Sequence, residues 1–331
     1  MVLPGFLQGA DAYDELKASL EASLQLRSDA GSAAPVGPPV VVVAGVDRGD
    51  WWRAVVGGAF GWYLAAVDDA VAEVLERGGR GGDDSDDGPS VALVGHSAGG
   101  WLASLAAGWG LHRGGCGHLP IQSPPPTPSV FLRRFQARLW LCEGRPYDGP
   151  TSPAEARARS RLRPAVGSVV TLGAPHGSLE RYPFGRVAER RSVAIEGDGL
   201  SDAARGSSLA FTRELCPRGP AGVRFEAVIG TGFPAASAAD TRPWAVARAL
   251  ALRDGAAVAR LAALASYSTA LSPGTDPRGA DGDGVTPVSA AGWDGATSLT
   301  RLPGVAHSPG SRGWYGDPEV VARWAGLMDF E

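Results

Sequence analysis

The chain has 331 residues, 44% of them hydrophobic, and a formal net charge of −4. That length suits one large α/β domain or two modest ones, and the acidic balance argues against a nucleic-acid surface. The longest apolar runs, such as Val40–Val43, are far too short to span a bilayer.

The opening run Val2-Leu3-Pro4-Gly5-Phe6 is apolar and stops at glycine, as a short strand would. Tyr13, Leu16, Leu20 and Leu24 then recur at spacings of 3, 4 and 4 and define one helical stripe. Pro38 to Val46 is a β-branched run, the pattern of a strand buried on both faces. Val67, Ala70, Val71, Val74 and Leu75 mark the apolar side of a second helix. Gly78 to Ser90 is rich in Gly and Asp and reads as a solvated connection.

Val91–Val94 is an apolar strand that runs into Gly-His-Ser-Ala-Gly-Gly and then a helix of small and apolar residues. Gly167–Gly177 and Gly222–Gly232 each read as a strand ending in glycine. Near the end, Asp317 can cap a helix that starts at Pro318, with Val321, Trp324 and Met328 as its apolar stripe. Strands alternating with helices predict a mostly parallel sheet flanked by helices in a single domain over 1–331. Two stretches break the alternation: 110–164, and 233–278 with an amphipathic helix near Trp244 to Leu264. Both follow strand ends on the side where such sheets bind ligands, and read as lid and cap insertions, with packed surface insertions as the equal alternative.

Three cysteines, Cys116, Cys142 and Cys216, lack CxxC or metal-type spacing. The odd count, with no charged leader ahead of an apolar block, points to an intracellular, reducing compartment. A Cys116–Cys142 bridge is the alternative.

The chemistry is concentrated at Gly95-His96-Ser97-Ala98-Gly99, a G-x-S-x-G between strand and helix. Glycines at both ends let strand and helix cross closely, and the sharp turn lifts the Ser97 hydroxyl above the sheet edge. The helix that follows favours negative charge at its start. A serine hydroxyl needs a base. His112 and His118 lie in the first insertion. His96, adjacent to Ser97, is directed away from where a base must stand, and His176 ends a strand; both are candidates to line a pocket. His307 lies in a late loop downstream of every candidate acid and is the expected base.

The acid is expected at Asp283 in the Gly/Asp turn Gly279–Ala291, with Asp240, Asp281 and Asp276 as rivals. Oxyanion donors are expected from the N–H of Ala98 and from Phe6 after Pro4-Gly5; Gly45-Val46 is the alternative to the latter.

Taken in order, VLPGF, GHSAGGW, TLGAPHGS, GDGVTPVSA and AHSPGSRGWYGDPEVVARW resemble the lipase-like α/β-hydrolases of plants and algae. These are similar in turn to bacterial triacylglycerol lipases and GPI inositol-deacylases. The resemblance implies an α/β-hydrolase fold and a Ser97-Asp283-His307 ester hydrolase. It implies Phe6 and Ala98 as oxyanion donors and no cofactor. An acyl-lipid or similar apolar ester is expected from the long insertions and the ten tryptophans, which suit a capped apolar pocket, and no metal is expected. Some relatives are plastid proteins, which implies that location.

The chain departs from the family in having Pro4-Gly5 where many lipases have His-Gly, and Gly-Ala-Pro-His for the commoner Gly-Thr-Pro-His. It starts almost at the oxyanion strand, as small lipases do. An acyltransferase using the same triad, or a non-catalytic binding protein on this fold, are the alternative functions. Transient contact with a membrane surface is compatible with the apolar substrate.

Overall fold

The computed structural model describes residues 1–29, 39–55, 61–78, 91–108, 166–176, 223–271, 274–292 and 295–328. The 110–164 insertion, the loop over 79–90 and all three cysteines lie outside them. Five strands, β1 (Val2–Leu3), β2 (Val91–His96), β3 (Val166–Leu172), β4 (Arg224–Thr231) and β5 (Ser298–Pro303), form one sheet in chain order. Every neighbouring pair is parallel. The helices α1 (Asp14–Asp29), α2 (Trp52–Val55), α3 (Gly61–Arg77) and α4 (Ala98–Gly108) precede β3. After β4 come α5 (Pro243–Ala251), α6 (Gly255–Ala270), α7 (Val288–Ala291) and α8 (Pro318–Trp324). The chain is therefore an α/β protein with helices on both faces of a parallel sheet.

Strand alternation divides the core. Leu3, Leu93, Val169 and Phe225 pack on one face with Val67 and Val71 of α3 and Trp101 and Leu102 of α4. Val2, Val94, Val170 and Val228 face the other way, onto Leu16 and Leu20 of α1 and Val321 and Trp324 of α8. Burying a large apolar side chain of this kind stabilises the fold by about 1.5–3 kcal/mol. The two buried layers flank the strands up to the ends that carry the loops.

Four local expectations are corrected. Of the run expected over Pro38–Val46, the described residues 39–46 meet β1 through Val2, which donates to Val42 O at 2.7 Å and accepts from Ala44 N at 2.9 Å. With one partner residue on β1, the run stays extended as an isolated bridge at Val43 and does not form a strand. The helix expected near Trp244–Leu264 is two helices. Arg253 takes φ 53° between α5 and α6, and the Asp254 carboxylate accepts from Ala257 N at 3.0 Å to cap the second. Tyr13 sits in a 3₁₀ turn, Ala10–Tyr13, ahead of α1. Asp317 occupies the N-cap position of α8 without a side-chain cap bond; it accepts from Gly313 N at 2.6 Å instead.

The bridge at Val43 also marks a reversal in the winding of the sheet. The 39–46 segment lies on one side of β1 and β2 on the other, so the winding reverses at β1. In such sheets the crevice at the carboxyl ends beside the reversal is where ligands bind. Among the described residues, no helix is long and apolar enough to cross a membrane.

Candidate active site

β2 ends at His96 and α4 begins at Ala98, so a single residue, Ser97, makes the whole turn between them. It does so at φ 53°, a left-handed conformation that costs a non-glycine residue about 1–2 kcal/mol. Room for the turn comes from Gly95 and Gly99: a Cβ on Gly95 would stand 2.6 Å from Gly100 N, and one on Gly99 2.6 Å from Pro4 O. Ala98 opens α4, and N–H groups of a first helical turn have no partner inside the helix.

A cavity of about 190 Å³ lies over this turn, lined by Gly5, Phe6, Gln8, His96, Ser97, Val285, His307, Ser308 and Pro309. The candidate oxyanion segment after β1 is thus on its wall, whereas Gly45 and Val46 are not. Three aromatic residues anchor that segment. Tyr63 donates to Pro4 O at 2.8 Å, Gly5 N donates to the Tyr13 hydroxyl at 2.7 Å, and Trp51 Nε1 donates to Gln8 O at 3.0 Å. Leu7, between Phe6 and Gln8, is strained at φ 57°. Two of the three left-handed non-glycine residues among the described ones therefore adjoin the cavity, where strain is commonly stored for function.

Of the four candidate acids, Asp283 is the one bonded to His307. It is 2% exposed, and its carboxylate receives four donors. Val285 N at 3.0 Å and Thr286 N at 2.7 Å bond Oδ1. His307 Nδ1 at 2.7 Å and the Tyr315 hydroxyl at 2.8 Å bond Oδ2. Four is about the number of acceptor sites a carboxylate has, so both oxygens are oriented. His307 N also donates to Asp283 O at 3.0 Å, which fixes the backbones of the two loops. The rivals turn elsewhere: Asp240 to Ser237 and Arg260, Asp281 to Gly232 N, Asp276 to Arg278.

With Nδ1–H given to Asp283, His307 keeps Nε2 as a lone-pair acceptor. A hydroxyl beside such an imidazole can be deprotonated as it attacks an electrophilic carbon.

Two components of this site were not read from sequence. Tyr315 accepts from Gly230 N at 2.7 Å and so has its own proton to give Asp283. Burial first, and the nearby Asp283 charge second, push its hydroxyl pKa well above the ordinary tyrosine range, so it stays a donor. The other is Gly173, at φ +59° after β3. A Cβ there would stand 2.9 Å from His307 Nδ1 and 3.0 Å from the Tyr315 oxygen, so the Asp283–His307 pair occupies the space a side chain would take. Tyr267 completes the support: it accepts from Gly284 N at 3.0 Å and donates to Phe233 O at 2.7 Å, tying the acid's turn to α6.

His176 does not line the cavity. It is buried, with Nε2 at 3.2 Å from Thr171 Oγ1 and its ring against Phe225. Burial pushes its pKa down from 6.5 to about 4. The unfolded chain takes up this proton near pH 6.5 and the folded chain only near 4. The stability share is therefore complete above pH 6.5 and is lost as pH falls toward 4, by up to about 3 kcal/mol. Urea midpoints measured across this range are expected to fall less steeply for His176→Leu than for the parent chain.

No family model matches the chain, and no curated protein matches it significantly.

Proposed function

We propose that the chain is a serine hydrolase of carboxylic esters with an α/β-hydrolase fold. The observation that carries this reading is the 2.7 Å bond from His307 Nδ1 to Asp283, with His307 and Ser97 on the wall of one cavity. In this mechanism Ser97 Oγ attacks the ester carbonyl as His307 Nε2 takes its proton. Asp283 holds the imidazolium, and the N–H groups of Phe6 and Ala98 receive the oxyanion. His307 then protonates the leaving alcohol, giving an acyl-Ser97 that water, deprotonated by His307, hydrolyses.

Phe6, Val285 and Pro309 give the cavity an apolar side, which supports esters of apolar acyl groups, acyl lipids included. A fluorophosphonate probe is expected to label the native protein at Ser97, mapped by mass spectrometry. Failure to label, or labelling at another serine, overturns the reading. Across a series of p-nitrophenyl esters, acyl chains longer than acetyl are expected to be preferred. Equal rates on acetyl and long-chain esters count against the acyl-lipid assignment while leaving ester hydrolysis in place.

A further inference from the structure

The residue before Ser97 carries a set of bonds that the reaction as written does not use. His96 is 1% exposed, and both of its ring nitrogens are engaged. Nδ1 stands 2.7 Å from the Tyr13 hydroxyl, and Nε2 stands 2.9 Å from the backbone carbonyl of His307. The carbonyl can only accept, so Nε2 must carry the proton. The Tyr13 oxygen already accepts from Gly5 N at 2.7 Å, so the Tyr13 proton is directed to Nδ1. One consistent pattern results: Gly5 N–H to Tyr13, Tyr13 O–H to His96 Nδ1, His96 Nε2–H to His307 C=O.

We propose that Tyr13 and His96 are positioning residues that tie the Gly5-Phe6 segment to the His307 loop across Ser97, with His96 held neutral in the Nε2–H form. The inference rests on the ester-hydrolase reading for its kinetic consequence, but not for its tautomer.

Three loops from distant parts of the chain must keep their spacing for attack, proton transfer and oxyanion binding to coincide. β1, β2 and β5 supply their starting points, but the sheet ladder ends before the loops do. The relay spans that gap with three bonds in a buried setting, where each bond is stronger than in water and a missing partner is costly. Among the described residues, the ionisable side chains that face His96 are Tyr13, His307 with its ring 4.7 Å away, and Tyr315 at 6.0 Å, and the Trp314 ring stands 6.2 Å away. The Asp283 carboxylate is directed to His307 and Tyr315. Burial first, and His307 second, hold the His96 pKa well below the usual histidine range.

Two measurements test this. In ¹⁵N-histidine-labelled protein, long-range ¹H–¹⁵N spectra are expected to show His96 as the Nε2–H tautomer. It should not titrate between about pH 5.5 and 8, the window in which an ordinary histidine does. The Nδ1–H tautomer, or titration in that window, overturns the proposal. The second measurement compares His96→Gln with His96→Leu. A glutamine amide can accept from Tyr13 and donate to the His307 carbonyl; leucine can do neither. His96→Leu is expected to lower kcat on p-nitrophenyl butyrate by about 30–100-fold with KM within about 3-fold, the size of effect that a small misplacement of reacting groups produces. His96→Gln is expected to recover most of that loss.

A folded leucine variant with parental kcat, or a glutamine variant no better than leucine, overturns the proposal. Should the leucine variant not fold, Tyr13→Phe is held to the same kinetic criterion. A parent protein that neither labels with fluorophosphonate nor turns over ester refutes the hydrolase reading alone, and the tautomer measurement still decides the relay.

Discussion

Ser97→Ala is expected to lower kcat for p-nitrophenyl ester hydrolysis by about 10⁶-fold, with the protein still folded. Alanine removes only the hydroxyl. It keeps the Cβ, so the turn at φ 53° is as strained as before and the fold has no reason to relax. Binding in the cavity also survives, which makes KM or inhibitor affinity the control. Ser97→Gly separates strain from chemistry. Glycine adopts the left-handed conformation without the 1–2 kcal/mol cost, and the offset is about 0.5–1 kcal/mol of extra unfolded-chain entropy. The glycine protein should therefore be equally inactive and no less stable, with a gain of up to about 1.5 kcal/mol in chemical denaturation. A site kept strained at some cost to stability is what a functional turn predicts, whereas a packing turn would have drifted to glycine. Retained hydrolysis by Ser97→Ala would remove Ser97 from the mechanism altogether.

The strand–turn–helix at 91–108 was legible because its signals are local. An apolar run, a Gly-x-Ser-x-Gly and a helix of small residues each act over a few positions. The expectation that an acid and then a histidine follow Ser97 along the chain came from the order such folds use and not from any local signal. Partners of Asp283 were not legible. Asp240, Asp276, Asp281 and Asp283 all precede His307 in the chain, and only distances separate Asp283, bonded to His307, from Asp281 two residues away, bonded to Gly232 N.

Tyr13 shows the limit best. Its spacing to Leu16 and Leu20 placed it correctly in the buried stripe, but periodicity reports which side a residue faces and not what its hydroxyl meets. That depends on where His96, 83 residues later, comes to rest. Tyr315 and Gly173 were missed likewise, since their roles arise from packing between β3, β4 and the late loop. β5 escaped notice because Ser298–Pro303 has one buried residue, Leu302, in six. A strand so little buried lacks the apolar alternation by which strands are recognised.

Asp283→Asn is expected to lower kcat by about 10⁴-fold while leaving the loop structure in place. The bonds that surround the carboxylate determine why. Val285 N and Thr286 N both donate to Oδ1, so asparagine will set its carbonyl oxygen there and turn its NH₂ toward His307 and Tyr315. An NH₂ group cannot accept the Nδ1–H of His307, so the imidazole is driven to the opposite tautomer, with Nδ1 accepting and the proton on Nε2. That proton points at the cavity, and a protonated Nε2 cannot take the one on Ser97.

Tyr315 meets the same conflict: its oxygen still accepts from Gly230 N at 2.7 Å, but its own proton loses Oδ2. Folding should be weakened by roughly 1–3 kcal/mol for the buried groups left mismatched. Fluorophosphonate labelling should slow in parallel with kcat, because both need Ser97 deprotonated by His307. A variant whose labelling rate holds while hydrolysis falls would place Asp283 at deacylation alone. One whose hydrolysis is unchanged would show that the 2.7 Å contact between Asp283 and His307 is structural and that the base is oriented by something else.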